Sequence, residues 1–157
     1  MRRIILTGLV WAGPALADPA QHLARGNAWR ALDEFGAALA EYDAGLREAP
    51  GRADLLAERA LTLHRLGELA AAEALLAQAI AAAGPRDPGP WTARAGLALL
   101  ARRDPAADLA EALRRAPADP RALELQALAN ARRGAGPVPE PRVMERLRQD
   151  FGPWLGE

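Results

Sequence analysis

The feature that most constrains the fold of this chain is a pattern of small and large apolar residues that recurs every 34 residues between residues 19 and 84. The step takes Ala38 to Ala72 and Tyr42 to Leu76, so small residues fall on small ones and large apolar residues on large ones. Within each half of the period the large residues are three or four positions apart, which indicates an amphipathic helix. Each period is therefore predicted to be a helix, a short turn and a second helix, and units of this length stack into arrays.

Small residues are expected where the helices approach each other most closely, because the distance between packed helices depends on the side chains at the contact. The recurring small residues are Gly26 and Ala60 on the first helices, and Ala38, Gly45, Ala72 and Ala79 on the second helices. Tyr42 and Leu76 are then predicted to fill the space between neighbouring units.

These spacings resemble those of the tetratricopeptide repeat (TPR) family, in which large and small residues alternate at fixed positions before a closing proline. The residues that carry the resemblance are Leu32, Ala38, Tyr42, Gly45 and Pro50, then Leu66, Gly67, Ala72, Leu76 and Ala79. The resemblance is strong over residues 19–84 and continues more weakly to about residue 134. It implies an all-α fold: a right-handed superhelical array of antiparallel helix pairs (a TPR solenoid) with about three repeats and a C-terminal capping helix.

The pattern and its interruptions divide the chain into four predicted parts. These are a signal peptide (1–17), the repeats (18–134), a linker (135–140), and a C-terminal capping helix and tail (141–157). The repeats lie at about 19–50, 53–84, 88–117 and, as a partial unit, 119–134. In the first unit, helices are predicted over 19–31 and 34–48, with Asp33 as the N-cap of the second helix. In the second unit, Gly67 is predicted to lie at the turn between the two helices. Asp104-Pro105 and Asp119-Pro120 predict later helix starts, because Asp caps a helix and Pro is favoured at its first position.

The first seventeen residues have the three parts of a secretory signal. Met1-Arg2-Arg3 is positively charged, residues 4–13 are apolar, and Ala15-Leu16-Ala17 has the small residues that precede a cleavage site. The apolar stretch is shorter than the roughly 20 residues that span a bilayer. We expect cleavage after Ala17 and a periplasmic or secreted mature chain; the alternative is an uncleaved anchor.

The C-terminal helix is predicted to cover the end of the array, since a terminal repeat exposes an apolar face that needs a cap. The helix itself is predicted over 141–151, where Val143, Leu147 and Phe151 lie on one stripe, and Trp154 and Leu155 are expected to pack back beside it. Two alternatives are a detachable helix that binds a partner and a helix through which the chain oligomerises.

Residue types suited to catalysis or metal binding are scarce. The chain has no cysteine and no serine, no glycine-rich phosphate loop and no His-Glu-x-x-His motif. His22 takes a position that Leu56 and Trp91 hold in later units, so it is predicted to be a packed core histidine. We therefore expect no enzyme activity, no metal and no cofactor.

Three arginines precede the small residue of successive first helices: Arg25, Arg59 and Arg94. They could form a ladder for an anionic ligand, but the second helix of each unit offers a simpler partner. We expect Arg25 to pair with Glu41 and Arg94 with Asp108, which would make these arginines part of the scaffold. Leu75 stands at the equivalent place in the second unit, which weakens the rule for Arg59.

The resemblance implies that the first helices line a concave groove that holds a peptide or a partner helix. The groove residues carried over from the family are Asn27, Arg30, Asp54, Leu61, His64, Arg65, Thr92, Leu99, Glu124, Leu128 and Arg132. This mixture of arginine and leucine suits a partner with acidic and apolar side chains. The asparagine-and-lysine clamp of some family members is absent, since only Asn27 fits and the chain has no lysine.

The predicted function is therefore that of a non-catalytic scaffold or assembly factor that binds another protein. A net charge of zero gives no field that would attract nucleic acid or an anionic membrane. The alternative is an accessory chaperone that holds an unfolded exported apoprotein, as family members do in c-type cytochrome maturation. An adaptor would copurify with one folded partner, whereas a holdase would prefer unfolded chains.

Overall fold

The computed structural model describes residues 18–153, and within that range it contains eight α-helices and no strand. The helices are α1 (Pro19–Ala31), α2 (Phe35–Glu48), α3 (Ala53–Arg65), α4 (Leu69–Ala82), α5 (Gly89–Leu100), α6 (Ala106–Arg115), α7 (Pro120–Arg132) and α8 (Pro141–Phe151). The all-α prediction is confirmed. The predicted signal peptide, and the expected packing of Trp154 and Leu155, lie outside the described residues. None of the eight helices is long and apolar enough to cross a membrane.

The helices pack as successive hairpins. α1 packs on α2, α3 on α4 and α5 on α6, and the odd-numbered helices also follow one another, α1 against α3, α3 against α5 and α5 against α7. The last helix, α8, contacts α3, α5 and α7. We call the surface formed by α1, α3, α5 and α7 beneath α8 the first-helix face.

Glycine allows the closest approaches in the first unit. The Tyr42 ring lies directly on Gly26, where an added Cβ would overlap the ring, and the Tyr42 side chain is fully buried. Gly45 packs against Leu55 of the next unit, and an added Cβ there would come within 2.8 Å of the Leu55 side chain. The prediction that small residues mark close helix contacts is confirmed at these two positions.

All four first helices end in the same way. The residue after the C-cap has a positive φ, with values of 58° at Asp33, 83° at Gly67, 54° at Arg102 and 69° at Gly134. The next amide bonds back to the carbonyl five residues earlier, as Glu34 N does to Trp29 O at 3.0 Å. This is the Schellman motif, which satisfies carbonyls left free at a helix C-terminus.

The prediction that Asp33 caps α2 is wrong. Asp33 belongs to the Schellman turn that ends α1, so its backbone cannot take the extended conformation of an N-cap. Its carboxylate instead accepts a hydrogen bond from Arg65 Nη2 at 2.9 Å. The residue before α2 is Glu34, which makes no side-chain cap bond.

The apolar core runs through α3–α8, and a smaller cluster of Ala38, Tyr42 and Leu55 lies where α2 meets α3. The helix α8 contributes Met144, Leu147 and Phe151 to the main core. Its bounds coincide with the predicted helix, and Val143 is half-buried beside that core.

Candidate functional site

The centre of the first-helix face holds a network of two arginines and two carboxylates. Glu58 of α3 accepts hydrogen bonds from Arg30 Nη2 of α1 and from Arg121 Nη1 of α7, each at 2.9 Å. Arg121 Nε also donates to Asp150 Oδ2 of α8 at 2.9 Å. Four helices therefore meet at one cluster of charged groups.

Arg30 binds the backbone of α8 as well as Glu58. Its Nη1 donates to the carbonyl oxygen of Asp150 at 2.7 Å and to that of Gln149 at 3.4 Å. Carbonyls at a helix C-terminus have no partner within the helix and carry partial negative charge, so a guanidinium is a favourable partner for them. The Nε atom of Arg30 is buried and has no acceptor among the described residues.

The charges of the network balance only when α8 is in place. Burial alone would lower the pKa of Arg121, but the carboxylates of Glu58 and Asp150 outweigh it and raise that pKa. Arg30 and Arg121 carry two positive charges against the two negative charges of Glu58 and Asp150. Without Asp150 the face would keep one uncompensated positive charge.

Phe151 is the apolar anchor of α8. Its ring is fully buried on Gly96 of α5, where an added Cβ would overlap the ring. The Arg121 guanidinium lies 5.2 Å from the centroid of the same ring, within the range of a cation–π contact. Gly152 then ends the helix with φ of 126°, a conformation that favours glycine. The Asp150-Phe151-Gly152 segment is thus held through its carboxylate, its ring and the helix end.

The structure places the predicted groove residues in several different environments. Arg30 lies in the charged network, and four others are buried by at least 96% of their surface: Leu61, Thr92, Leu99 and Leu128. Polar members with side-chain partners are Asn27 (bonded by Tyr42), Asp54 (paired with Arg52), Arg65 (paired with Asp33) and Glu124 (paired with Arg146 of α8). His64 lines a separate cavity beside α4 and α5, and Arg132 donates to Leu99 O at 2.8 Å.

Sequence reasoning missed Glu58, Gly96 and Arg121, although two of them left a signal. Arg121 has the same position in its unit as Asp54, which lies 67 residues earlier and was among the predicted groove residues. Gly96 directly follows the small residue Ala95, at the position that Leu61 holds in the second unit. A glycine in place of a large apolar residue indicates that something packs closely there.

The predicted scaffold pairs are confirmed. Arg25 Nε lies 3.0 Å from Glu41, and Arg94 Nη2 lies 2.6 Å from Asp108. Arg59 instead pairs with Asp43 of the preceding unit at 2.7 Å. Each of these three arginines therefore forms an ion pair within the array.

His22 is a buried histidine, as predicted, and its Nδ1 lies 2.7 Å from Glu41 Oε2. The hydrogen bond with His22, helped by Arg25, lowers the pKa of Glu41 against the opposing effect of burial. Burial and the nearby Arg65 charge lower the pKa of His64, which favours its neutral form. Among the described residues there is no cluster of three or more side chains that could hold a metal ion.

Comparison with protein-family models, with curated proteins and with solved structures finds no match to the chain.

Proposed function

We propose that this chain is an exported TPR-type helical solenoid whose first-helix face binds a segment of another protein without catalysing a reaction. The repeat period, the hairpin order of the helices and the shared Schellman turns support the solenoid. In a stack of this kind the first helices form one continuous surface, which suits an extended or helical ligand.

The observation that carries the proposal is the way in which α8 is held. Arg30 binds its terminal carbonyls, Arg121 binds the Asp150 carboxylate, and Gly96 accepts the Phe151 ring. The first of these contacts suits any helix C-terminus, and the other two select an acidic residue beside an aromatic one. A surface that holds its own helix through such contacts has the chemistry to hold another.

A partner segment would take the place of the end of α8. It would need an acidic group for Arg121 and a large apolar side chain for Gly96, which agrees with the expected acidic and apolar partner. It could also supply an acceptor for Arg30 Nε, which α8 does not. No cofactor and no nucleic acid enter this proposal.

The experiment uses a labelled peptide of residues 139–153 and two forms of the full chain. In the wild type, the tethered α8 competes with the peptide at an effective concentration of about a millimolar, so little peptide should bind. In Phe151→Asp, burying a charge expels the end of α8, and the peptide should bind. Fluorescence anisotropy measures both affinities.

The control peptide carries Asp150→Arg, which places a positive charge against Arg121. It should not bind to the Phe151→Asp chain. If that chain keeps its helical circular dichroism and binds neither peptide, or binds both equally well, the first-helix face is not a selective helix-binding surface.

A further inference from the structure

A cavity of about 570 Å³ lies between the α5–α6 turn and the C-terminal end of α7. It is lined by Leu99, Arg102, Arg103, Asp104, Pro105, Ala129, Arg132 and Arg133. Leu99 and Ala129 are at most 4% exposed, whereas all four arginines are exposed. The cavity therefore has an apolar base and a cationic edge.

Among the described residues that line the cavity, positive side chains outnumber negative ones. Four arginines and one carboxylate line the cavity, in a chain whose net charge is zero. The carboxylate, Asp104, already accepts from Ala106 N at 3.0 Å and pairs with Arg133 at 3.5 Å. Arg103 pairs with Glu73 at 3.4 Å, and Arg102 forms no ion pair with any residue from 18 to 153. Burial and the charge of Arg102 together lower the pKa of Arg132, so the two like charges are close enough to repel.

The backbone conformation of Arg102 independently indicates a role for its side chain. Arg102 occupies the left-handed position of the Schellman turn, where two of the other three turns have glycine, Gly67 and Gly134. A long side chain is unfavourable in this conformation, whereas glycine adopts it freely. Stability alone would favour glycine here, and the side chain that replaces it carries a positive charge to the edge of the cavity.

We propose that this cavity binds a small organic anion in which a doubly charged oxyanion, such as a phosphate monoester, is joined to an apolar body. Guanidinium groups match the oxygen geometry of phosphate and can bind it through paired hydrogen bonds. Two negative charges would relieve the repulsion between the arginines, and the body would lie on Leu99 and Ala129. A cavity of several hundred Å³ has the size of a small-molecule site. This inference is independent of the first-helix face and of the proposed function.

Three probes test the chemistry on the full chain: phenyl phosphate, inorganic phosphate and benzoate. Each is titrated while the amide signals are followed by NMR. Phenyl phosphate should shift the amides of residues 99–105 and 129–134 and bind most tightly of the three. Inorganic phosphate lacks the apolar body and benzoate lacks the second charge, so each should bind several-fold more weakly.

Two variants test the residues. Arg102→Gly should weaken phenyl phosphate binding about tenfold, by losing charge-assisted hydrogen bonds, while raising the thermal midpoint because the turn is relieved of strain. Arg47→Ala removes one exposed charge from the end of α2 and should leave the affinity unchanged within about twofold. Arg133→Gln is the second variant at the site and should also weaken binding several-fold.

The proposal is overturned if phenyl phosphate shifts no amide around the cavity, or if the shifts map elsewhere. It is also overturned if benzoate binds as tightly as phenyl phosphate, or if Arg102→Gly and Arg133→Gln both retain wild-type affinity. A lower thermal midpoint in Arg102→Gly would contradict the argument from strain.

Discussion

At the scale of single residues, two glycines decide which aromatic side chains can be buried. Gly26 admits the Tyr42 ring between α1 and α2, and Gly96 admits the Phe151 ring between α5 and α8. The two contacts differ in sequence distance: Tyr42 is 16 residues from its glycine, Phe151 is 55 from its own. The first contact builds a repeat unit, and the second attaches the last helix to the array.

Replacing Gly96 by alanine should therefore loosen α8. The added methyl group would overlap the buried Phe151 ring, and overpacking of this kind lowers the free energy of unfolding by about 1–3 kcal/mol. Urea unfolding measures the loss, and hydrogen exchange should become faster in residues 141–151. Gly36→Ala is the matched control, since an added Cβ there meets nothing within 4 Å. It lies in α2 and should leave stability unchanged or raise it by up to about 1 kcal/mol.

The His22–Glu41 pair should make stability depend on pH. Because the pKa of Glu41 is lowered in the folded state, its ionised form stabilises the fold fully above the ordinary carboxyl pKa of 4.5. The stabilisation is lost as the pH falls below that value. Urea unfolding between pH about 6 and about 3 should show a steeper loss for the wild type than for Glu41→Gln. Equal pH dependence in the two proteins would contradict this assignment.

At the scale of helices, α8 differs from α1–α6 because it has no hairpin partner. It has 11 residues, and an isolated helix of that length is marginal in water. Its position therefore depends on tertiary contacts, above all those of its last turn. A linker follows α7 where the second helix of a hairpin would begin. The next helix, α8, packs on the first-helix face and does not form a hairpin with α7.

Asp150→Asn should weaken the attachment of α8 by removing one negative charge. The change removes the ion pair with Arg121 and leaves the network with one excess positive charge, which should cost about 1–2 kcal/mol. Hydrogen exchange in α8 should rise more than in α3. Glu145→Gln on the exposed side of α8 is the control, since Glu145 has two weak contacts, a 3.8 Å pair with Arg148 and a 3.4 Å hydrogen bond from Gln149, and the change should alter stability by less than about 0.5 kcal/mol. Equal effects of the two changes would show that the network does not hold α8.

The hairpins could be predicted from the sequence because their determinants are local. Period, caps and small residues fixed the bounds of α1 and α8, and placed the turn glycine Gly67. The charged network could not be predicted, because Arg121 and Glu58 are 63 residues apart and Arg30 and Asp150 are 120 apart. Such contacts depend on how the last helix folds back, and no local pattern encodes that path. The Asp33 prediction failed for a different, local reason: aspartate can cap the start of one helix and can also adopt the left-handed conformation that ends the previous one.

At the scale of the whole molecule, α8 joins units that would otherwise contact only their neighbours. In a simple array the stability is a sum of units and of interfaces between neighbours. Here Arg30, Gly96 and Arg121 of three different units all contact the last turn of α8. A single helix thus couples the first unit to the last.

Phe151→Asp should for this reason reduce the cooperativity of unfolding. With α8 released, the units can open separately, so the urea dependence of the free energy (the m value) should fall. Hydrogen exchange should then show α1–α2 opening independently of α5–α7. Coincident unfolding of all helices in the variant would mean that neighbour contacts alone couple the array.

The position of α8 in the chain also has a consequence for biosynthesis. It is the last of the eight helices to leave the ribosome, so the face that it covers is completed before its cover exists. A copy released before residue 141 would carry Gly96, Arg30 and Arg121 with nothing on them. Chains that lack α8 should therefore associate with other proteins more readily than full-length chains do.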